Sequence, residues 1–248
     1  MSYCLLISDL HLDAARPAHP VALKALLQRH AGKADALYVL GDLFETWIGD
    51  DDDNDFNRDI IAAFRAFSRT SSQLFFMHGN RDFALGDSFC AATGGAMLPE
   101  GHMADFYGTP VLLMHGDSLC THDTKYQAFR QMVRNPQWQA DMLAKPLEQR
   151  RMMAQMMRMQ SQQSNANKAS NIMDVTPEEV VRVMEAAHAT QLIHGHSHRP
   201  AVHDVLLTNG NGGKRWVLGD WNTLGWQIVA DSDKGLRLES FAIDEPPA

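Results

Sequence analysis

Three histidines occupy alternate positions of the stretch LIHGHSHRP, which covers residues 192–200. Side chains two residues apart in an extended segment point to the same face, so the rings of His194, His196 and His198 could meet at one point. This spacing is typical of metal ligands. A histidine-rich surface loop would give the same pattern, because short histidine clusters are only suggestive by themselves. Which of the two interpretations holds depends on whether the rest of the chain contains further candidate metal ligands.

Polar residues follow nearly every β-rich apolar run of the sequence. The runs YCLLIS, ALYVL, QLFFM, PVLLM, QLI and RWVL continue as DLHL, GDLFE, HGNRD, HGDSL, HGHSH and GDW. Continuous apolar runs are typical of strands that are covered on both faces. Ligands of α/β sheets bind at the carboxyl ends of strands, and glycine there lets the backbone turn sharply. The pattern therefore predicts one crevice lined by these polar strand ends.

Two regions depart from this pattern. Residues 125–168 lose the strand signals and have helical patterns rich in Met, Gln and Arg, as in LEQRRMMAQMMRMQSQQ. We interpret them as a helical cap inserted over the strand ends. The C-terminal runs KRWVLGDWN, GWQIVAD and LRLESFAI predict antiparallel strands. Because no fixed-period repeat or flexible linker divides the chain, residues 1–248 are predicted to form one domain that contains the cap.

The composition indicates a globular protein with a substantial core, since 45% of the 248 residues are apolar. Cys4, Cys90 and Cys120 are widely spaced, which favours a reducing compartment over a disulfide framework. The N-terminus lacks the basic start of a signal peptide, and no apolar run approaches the roughly 20 residues of a membrane span. We therefore expect a cytoplasmic protein. A net charge of −8 argues against a general nucleic-acid binder.

The strand ends together offer two carboxylates, one amide oxygen and four imidazoles. These candidate ligands are Asp9, His11, Asp42, Asn80, His115, His196 and His198. The mixture suits ions such as Mn²⁺, Fe²⁺ or Zn²⁺ better than Ca²⁺, which prefers oxygen alone. Seven ligands exceed one tetrahedral site, so the sequence predicts a pair of ions. Asp42 could bridge them, because a carboxylate has two oxygens.

Five sequence blocks, in this order and over most of the chain, resemble the calcineurin-like metallophosphoesterase family. They are Asp9-x-His11, Gly41-Asp42-x-x-Glu45, Gly79-Asn80-Arg81-Asp82, His115 and Gly195-His196-x-His198. The resemblance implies an α/β (α+β) sandwich of two mixed β-sheets flanked by helices. It also implies that Asp9, His11, Asp42 and His198 bind one ion, and that Asp42, Asn80, His115 and His196 bind a second. We call these groups the first and second ligand sets. His194 is then expected to be structural.

The chemistry of such a site is displacement at phosphorus. Two ions roughly 3.5–4 Å apart lower the pKa of a water between them and neutralise charge on the phosphoryl oxygens, so that hydroxide attacks in line. The resemblance makes Asp42, Asn80, Arg81 and His115 the catalytic residues.

Arg81 indicates which phosphoester is cleaved. Most phosphatases of the family have a histidine at this position, which can protonate a poor leaving group. Arginine stays charged and cannot donate a proton, but it can hold a phosphate through two hydrogen bonds. A phosphate monoester, whose second pKa is near 6, leaves without such help. The sequence therefore predicts cleavage of a pyrophosphate bond.

Further runs are similar to a branch of the family that hydrolyses a lipid-linked nucleotide with Mn²⁺ at the cytoplasmic side of the bacterial inner membrane. They are LYVLGDLFETWIGDDD, HGNRDF, MHGDSLCTHDTKYQAFR, NIMDV and LIHGHSHRPAVH. The similarity implies two Mn²⁺ ions per chain, water attack on the α-phosphorus and acyl chains among the apolar side chains of the cap. It also implies substrate contacts by Asn80, Arg81, Asp123, Ser161, Asn165, Lys168 and His196.

The cap composition favours contact with a membrane surface. Nine of the fourteen methionines lie between Met132 and Met184, and basic and apolar residues alternate in short groups over residues 150–160. An ordinary helical hairpin packed on the body has the same composition. The alternative to the lipid substrate is a metallophosphoesterase for dinucleoside polyphosphates or cyclic nucleotides, and a third hypothesis is a non-catalytic scaffold.

Three further expectations concern residues near the blocks. The acidic run from Asp50 to Asp55 lacks the glycine of a Ca²⁺ loop and predicts a solvated turn before a helix. His78 and Asp117 flank predicted ligands and are candidates for orienting them.

Overall fold

The computed structural model describes residues 2–166 and 174–243. Its strands are β1 (Tyr3–Ile7), β2 (Ala36–Val39), β3 (Gln73–Phe76), β4 (Ala96–Met97), β5 (His102–Phe106), β6 (Thr109–Leu113), β7 (Gln191–His194), β8 (Ala201–Leu206), β9 (Gly212–Val217), β10 (Leu224–Asp231) and β11 (Gly235–Ala242). Its α-helices are α1 (Ala18–His30), α2 (Asp55–Ser68), α3 (Asp87–Thr93), α4 (Thr124–Val133), α5 (Pro136–Leu143), α6 (Leu147–Ala166) and α7 (Pro177–Ala186).

The strands form two mixed sheets, as predicted. The first has the order β11-β10-β1-β2-β3-β4, and the second has the order β5-β6-β7-β9-β8. In the first sheet β1, β2, β3 and β4 are parallel, and β10 is antiparallel to β1. In the second sheet β6, β7 and β9 are parallel, and β5 and β8 are antiparallel edges. All six predicted apolar runs form strands, and the parallel ones direct their carboxyl ends to the same region.

The three C-terminal runs form strands with antiparallel neighbours, as predicted, but they lie in different sheets. β10 and β11 are antiparallel neighbours in the first sheet, whereas β9 lies in the second sheet, antiparallel to β8 and parallel to β7. The chain crosses between the sheets at residues 218–223, a change of partner that local periodicity does not encode. The sequence did not predict β4, β5 and β8, because these strands are short or exposed and lack a continuous apolar run. In β8, for example, only two apolar residues are half-buried, and Leu206 is 75% exposed.

Three apolar clusters hold the layers together. Leu6, Leu113 and Ile193 lie in the cluster between the two sheets. Leu5, the neighbour of Leu6, points to the opposite face, where the first sheet packs against α1, α2 and α3. On the outer face of the second sheet, Leu192 packs against residues of α7. Both faces of the central strands are therefore buried, which explains their continuous apolar runs.

The described part of the predicted cap consists of α4, α5 and α6. Val133, Met142 and Met153 of these helices join the cluster on the outer face of the first sheet. The cap is thus packed on the body by apolar contacts, while the single-domain organisation stays a prediction. Within the described residues, no helix combines the length and the apolar content needed to cross a bilayer.

Candidate metal centre and cavity

The ends of five strands bring the seven predicted ligands together. Two follow β1, one follows β2, one follows β3, one follows β6 and two follow β7; in this order they are Asp9, His11, Asp42, Asn80, His115, His196 and His198. The loops are joined by backbone hydrogen bonds. The N–H of Asp9 donates to the carbonyl of Gly41 (3.1 Å), and the N–H of Gly195 donates to the carbonyl of His115 (2.9 Å). The second bond connects loops of two neighbouring strands in the second sheet.

The first ligand set converges on one point. Ligand atoms of Asp9, His11 and His198 lie within 4.8 Å of one another. The Nε2 atom of His198 is 3.3 Å from Oδ1 of Asp9 and 3.2 Å from Nε2 of His11, and the latter is 3.8 Å from Oδ2 of Asp42. Two imidazole nitrogens that face each other among carboxylate oxygens have the donor set and the spacing that suit a cation.

The second ligand set adjoins the first through Asp42. Oδ1 of Asp42 is 3.7 Å from Nε2 of His115, whereas its Oδ2 faces His11. Oδ1 of Asn80 lies 3.1 Å from Nε2 of His115 and 2.8 Å from Nδ1 of His196. Asp9, Asp42 and His115 also offer ligand atoms within 4.8 Å of one another, so Asp9 lies close to both sets. The two oxygens of Asp42 thus face different sets, as a bridging carboxylate requires.

The backbone of the cluster is strained. Among the residues that the structure describes, seven non-glycine residues have positive φ, and five of them are predicted ligands. They are Asp9 (54°), His11 (47°), Asp42 (50°), His196 (63°) and His198 (55°). Such conformations cost of order 1–3 kcal/mol each and persist only where the surroundings enforce them, often at functional sites. The strain indicates that the fold holds these side chains in place at a cost in stability.

Glycines beside the ligands leave room for them. A Cβ atom on Gly79 would lie 2.0 Å from Oδ1 of Asp42, and one on Gly195 would lie 2.1 Å from Oδ2 of Asp9. Only glycine fits such close approaches. The glycines that the sequence places at the strand ends are therefore required by the carboxylates themselves.

Asp82 organises two of these loops, although sequence reasoning gave it no role. Its carboxylate accepts hydrogen bonds from the backbone N–H groups of Leu43 (2.7 Å), Gly79 (2.8 Å) and Asp42 (3.2 Å). Burial, and next the negative charge of Asp42, raise the pKa of Asp82 to about 6, although these hydrogen bonds act in the opposite direction. Its position beside Arg81 in the third sequence block was the signal that could have found it.

Hydrogen bonds fix the orientation of the central histidines. Nδ1 of His115 donates to the carbonyl of Leu40 (2.9 Å), so its Nε2 lone pair faces the cluster. Burial lowers the pKa of His115, but the charges of Asp42 and Asp117 outweigh it and raise the pKa to about 9. A bound cation would reverse that balance. For His196, burial and the charge of His115 lower the pKa to about 4, which leaves its lone pair available at neutral pH.

His194 lies apart from the ligand atoms. Its Nδ1 donates to the carbonyl of Gly195 (2.8 Å), and its Nε2 lies 3.2 Å from Nη1 of Arg215. Burial and the charge of Arg215 lower the pKa of His194 to about 3, so the ring stays neutral. These contacts agree with the structural role expected for it, and two of the three alternate histidines belong to the cluster.

His78 and Asp117 were the two candidates for orienting ligands. Nε2 of His78 donates to the carbonyl of Leu85 (2.7 Å) and so fixes a loop rather than a ligand ring. Asp117 accepts a hydrogen bond from the hydroxyl of Tyr126 (2.6 Å), whose ring stacks on His196 with centroids 5.8 Å apart. Asp117 therefore acts on a ligand through Tyr126, a contact that the sequence gave no signal for.

A cavity of about 730 Å³ opens from the cluster and continues under the cap. Predicted ligands line part of it together with Arg81 and Asp123, and we call this part the polar end. Large apolar side chains line another part, which we call the apolar end; they are Trp47, Ile48, Phe83, Phe129, Met142, Met153 and Met157, and five of these seven lie in the apolar cluster outside the first sheet. The cavity thus combines the donor atoms for metal ions with an apolar compartment.

Five of the seven predicted substrate contacts line this cavity. They are Asn80, Arg81, Asp123, Ser161 and His196. The side chain of Asn165 and the whole of Lys168 lie outside the described residues. Arg81 also donates its backbone N–H to Oδ1 of Asp42 (2.8 Å). Among the residues that the structure describes, the buried Nε of Arg81 has no hydrogen-bond partner, as expected of a group that awaits an anion.

Helix α6 forms one wall of the cavity and is tied to the acidic run. The guanidinium of Arg150, only 3% exposed, binds both carboxylate oxygens of Asp51 and donates to the carbonyl of Ile48 (2.7 Å). Arg151 pairs with Asp52 (2.5 Å).

The prediction of a solvated acidic turn holds only in part, because Asp51, Asp53 and Asp55 are exposed but Asp50 is half-buried. Asp50 accepts hydrogen bonds from the N–H groups of Gly86 (3.0 Å) and Phe89 (2.9 Å) at the start of α3. The run does precede a helix, because Asn54 caps α2. Arg58 pairs locally with Asp53 and Asp55, but the partners of Asp50 and Asp51 at α3 and α6 lie 36 to 99 residues away, too far for local patterns to reveal.

Comparisons with known proteins agree with this geometry. The model of the calcineurin-like phosphoesterase family matches residues 4–200. Three relatives, each named UDP-2,3-diacylglucosamine hydrolase, align over nearly the whole chain. The protein of Cellvibrio japonicus is 50% identical over 96% of this chain and 99% of its own length. The protein of Chromohalobacter salexigens is 50% identical over 96% of this chain and 97% of its own length. The protein of Coxiella burnetii is 47% identical over 98% of this chain and 100% of its own length.

Proposed function

The chain belongs to the calcineurin-like phosphoesterase family, and from this premise we propose that it hydrolyses UDP-2,3-diacylglucosamine. The bond cleaved is the pyrophosphate bond, and the products are UMP and 2,3-diacylglucosamine 1-phosphate, an intermediate of lipid A biosynthesis. One observation carries the proposal: the cavity joins a cluster of seven candidate metal ligands to an apolar compartment under the cap. A substrate with a pyrophosphate at one end and acyl chains at the other matches both halves. The names of the relatives support the same substrate.

Divalent metal ions are the cofactors of this family, and we propose two Mn²⁺ ions here. The first ligand set would hold one ion and the second ligand set the other, with Asp42 shared between them. Such a pair supplies an acidified water and neutralises charge on the phosphoryl oxygens. The donor set fits, because imidazole nitrogens mixed with carboxylate and amide oxygens suit transition-metal ions.

Arg81 is proposed to hold the phosphate that departs. Its guanidinium lines the cavity beside Asn80, and its buried Nε has no partner within the described part of the chain. A charged guanidinium forms strong, directional hydrogen bonds to phosphate oxygens. It cannot donate a proton, and a departing phosphate monoester does not need one. Water is therefore proposed to attack the α-phosphorus, with the lipid phosphate as the leaving group.

The acyl chains are proposed to occupy the apolar end of the cavity. Phe83 lines it from the body, and Phe129 and Met142 line it from α4 and α5. Met153 and Met157 line it from α6. Burial of each CH₂ group contributes about 0.8 kcal/mol, so even a partly buried chain adds several kcal/mol to binding. Methionine side chains adapt to chains of different shape.

The outer face of α6 supports a peripheral contact with the cytoplasmic side of the inner membrane. Met152, Met156 and Met159 are 48%, 63% and 57% exposed. Their spacing of four and three residues places them on one face of the helix, beside the exposed Arg151. An apolar helix face flanked by basic residues is typical of helices that lie on membranes. The same helix would then contact the membrane and the acyl chains of the substrate.

Hydrolysis in ¹⁸O-labelled water tests the proposal. We expect metal-dependent release of UMP from UDP-2,3-diacylglucosamine with the label in UMP, and no release by Asp42→Ala. Label in the sugar phosphate would contradict attack on the α-phosphorus. Faster hydrolysis of dinucleoside polyphosphates or cyclic nucleotides would support the alternative activity, and no hydrolysis of any of them would support a non-catalytic scaffold.

A further inference from the structure

We propose that Gln127 and Arg130 of α4, and Arg134 directly after this helix, are positioning residues that hold the second ligand set together across the two sheets. We call these three side chains the polar face of α4. The inference rests on the pair of ions in the proposed function. It identifies side chains that contact neither ion but determine how tightly the second ligand set binds its ion.

The second ligand set takes its members from both sheets. Asp42 and Asn80 follow β2 and β3 of the first sheet, whereas His115 and His196 follow β6 and β7 of the second. The amide oxygen of Asn80 reaches both rings, at 3.1 Å from Nε2 of His115 and 2.8 Å from Nδ1 of His196. A small shift between the loops of the two sheets would separate the amide from the rings. The geometry of this set therefore depends on contacts between loops of different sheets.

Some contacts of the cluster act within one sheet. Asp82 ties the loops after β2 and β3, and a backbone hydrogen bond joins the loops after β6 and β7. Two contacts of the ligands themselves cross between the sheets. Nδ1 of His115 donates to the carbonyl of Leu40 (2.9 Å), and the N–H of His196 donates to Oδ2 of Asp9 (3.0 Å). Neither of these two contacts involves the loop that carries the amide ligand.

The polar face of α4 binds the loop after β6 at one end. Nε2 of Gln127 donates to the carbonyls of Asp117 (2.9 Å) and Cys120 (3.1 Å). Nε of Arg130 donates to Oδ2 of Asp117 (3.0 Å), which also accepts from the hydroxyl of Tyr126 (2.6 Å). The side chain of Asp117 is fully buried. The helix is therefore fixed to the segment that follows the ligand histidine of β6.

The same face binds the loop after β3 at its other end. Nη2 of Arg134 donates to the carbonyl of Gly79 (3.0 Å) and to the carbonyl before it (3.3 Å). Gly79 directly precedes Asn80, and Arg134 is half-buried. The arginine is four and seven residues after the other two members, so all three lie on one face of the helix. This face thus connects the loop of Asn80 in the first sheet to a loop of the second sheet.

The charge and the hydrogen bonds of Arg134 act on a bound cation in opposite directions. The positive charge opposes a cation nearby, whereas the hydrogen bonds hold Asn80 in place. Loss of the charge alone would strengthen metal binding, and loss of the positioning weakens it. Charge-assisted hydrogen bonds are strong, while solvent screens the charge of a half-buried group. We therefore expect the positioning effect to be the larger one.

Binding of Mn²⁺ to the metal-free full-length chain, without substrate, tests the inference. Electron paramagnetic resonance measures free Mn²⁺, and anomalous diffraction at limiting Mn²⁺ assigns each ion to a ligand set. Arg134→Met should weaken binding of the ion beside Asn80 about 10-fold, the lower end of the range for groups that orient ligands. The ion beside His11 should bind as in the wild type. Gln127→Met, which changes no charge, should weaken the same ion a few-fold.

Arg182→Met is the matched control. It removes the same charge from α7, where the guanidinium is 64% exposed and pairs with Glu179 (2.6 Å). Both ions should bind to this variant as they do to the wild type. Circular dichroism verifies the fold of each variant. If Arg134→Met does not fold, Gln127→Met gives the same test at the other end of the polar face.

Three results would overturn the inference. They are unchanged binding of the ion beside Asn80 in both test variants, tighter binding in Arg134→Met, which would show that only the charge acts, and equal weakening of both ions, which would show a general structural defect. A wild type that binds one ion, beside His11, would overturn the inference together with the proposed pair. A wild type that binds both ions but does not hydrolyse the lipid nucleotide would contradict only the proposed activity.

Discussion

The strand-end cluster and the helical cap border the same cavity but are held in different ways. The cluster is fixed by the backbone: five of its seven candidate ligands have positive φ, glycines make room for Asp9 and Asp42, and Asp82 ties two loops together. The cap is held by side chains, among which Arg150 reaches the body from α6, and it exposes methionines on its outer face. The difference indicates that the polar end requires fixed geometry, whereas the apolar end requires adaptable surface.

The largest expected effect is on the cluster side. Asp42→Ala removes the carboxylate whose two oxygens face both ligand sets. Metal ions contribute several kcal/mol to such reactions, so kcat should fall by at least about 1,000-fold, which corresponds to about 4 kcal/mol. UMP release measured with Asp13→Asn as control checks this expectation. A variant that keeps more than a tenth of the activity would show that the cluster is not the catalytic centre.

The next effect concerns the attachment of the cap. Arg150→Ala removes buried hydrogen bonds to the carbonyls of Ile48 and Lys145 and the pair with Asp51. The free energy of unfolding should fall by about 2 kcal/mol, since charged hydrogen bonds contribute about 1.5–3 kcal/mol. Mn²⁺ affinity should not change.

Arg151→Ala is the matched control, because the side chain of Arg151 is 53% exposed and its pair with Asp52 should contribute less than about 1 kcal/mol. Urea unfolding of the metal-free proteins measures both values. Two results would contradict the view that α6 of the cap is held independently of the cluster. One is an equal decrease in the free energy of unfolding for the two variants, and the other is a loss of Mn²⁺ affinity in Arg150→Ala.

A smaller effect is expected at the apolar end of the cavity. Met157 lines the cavity, and Met157→Gln puts a polar amide against the proposed acyl chains. We expect the KM for the lipid substrate to rise about 10-fold, which corresponds to about 1.4 kcal/mol, with kcat little changed. Steady-state kinetics with substrates of different acyl length measure this. An increase that does not depend on acyl length would place the chains elsewhere.

The smallest effect is expected on the outer face of α6. Met156 is adjacent to Met157 in sequence but is 63% exposed. Met156→Gln should leave the KM for detergent-solubilised substrate unchanged and weaken binding to anionic lipid vesicles a few-fold. Vesicle co-sedimentation with Met157→Gln as the comparison checks this. If Met156→Gln binds vesicles like the wild type, another surface makes the membrane contact.

The sequence predicts much of the cluster because parallel strands end together. Asp9 and His115 could be expected near each other once their strands were recognised, although they are more than 100 residues apart. The apolar runs also predicted the central strands, since burial on two faces leaves a continuous local pattern, whereas their division into two sheets was implied only by the family resemblance.

What could not be predicted depends on partners distant in the chain. Asp50 looks like a surface residue until α3 is placed above it, and Tyr126 has no motif that connects it to His196. The local sequence pattern of β9 predicts a strand but does not indicate which sheet the strand joins. In each case the deciding contact is tertiary and has no periodic signature in the sequence.

The central claim is that seven side chains from five strand ends hold two divalent ions. Anomalous X-ray diffraction from crystals of the full-length chain grown with Mn²⁺ tests it most directly. We expect two anomalous peaks on either side of the Asp42 carboxylate, one beside His11 and His198 and the other beside Asn80, His115 and His196. A single peak, or peaks away from these residues, would contradict it.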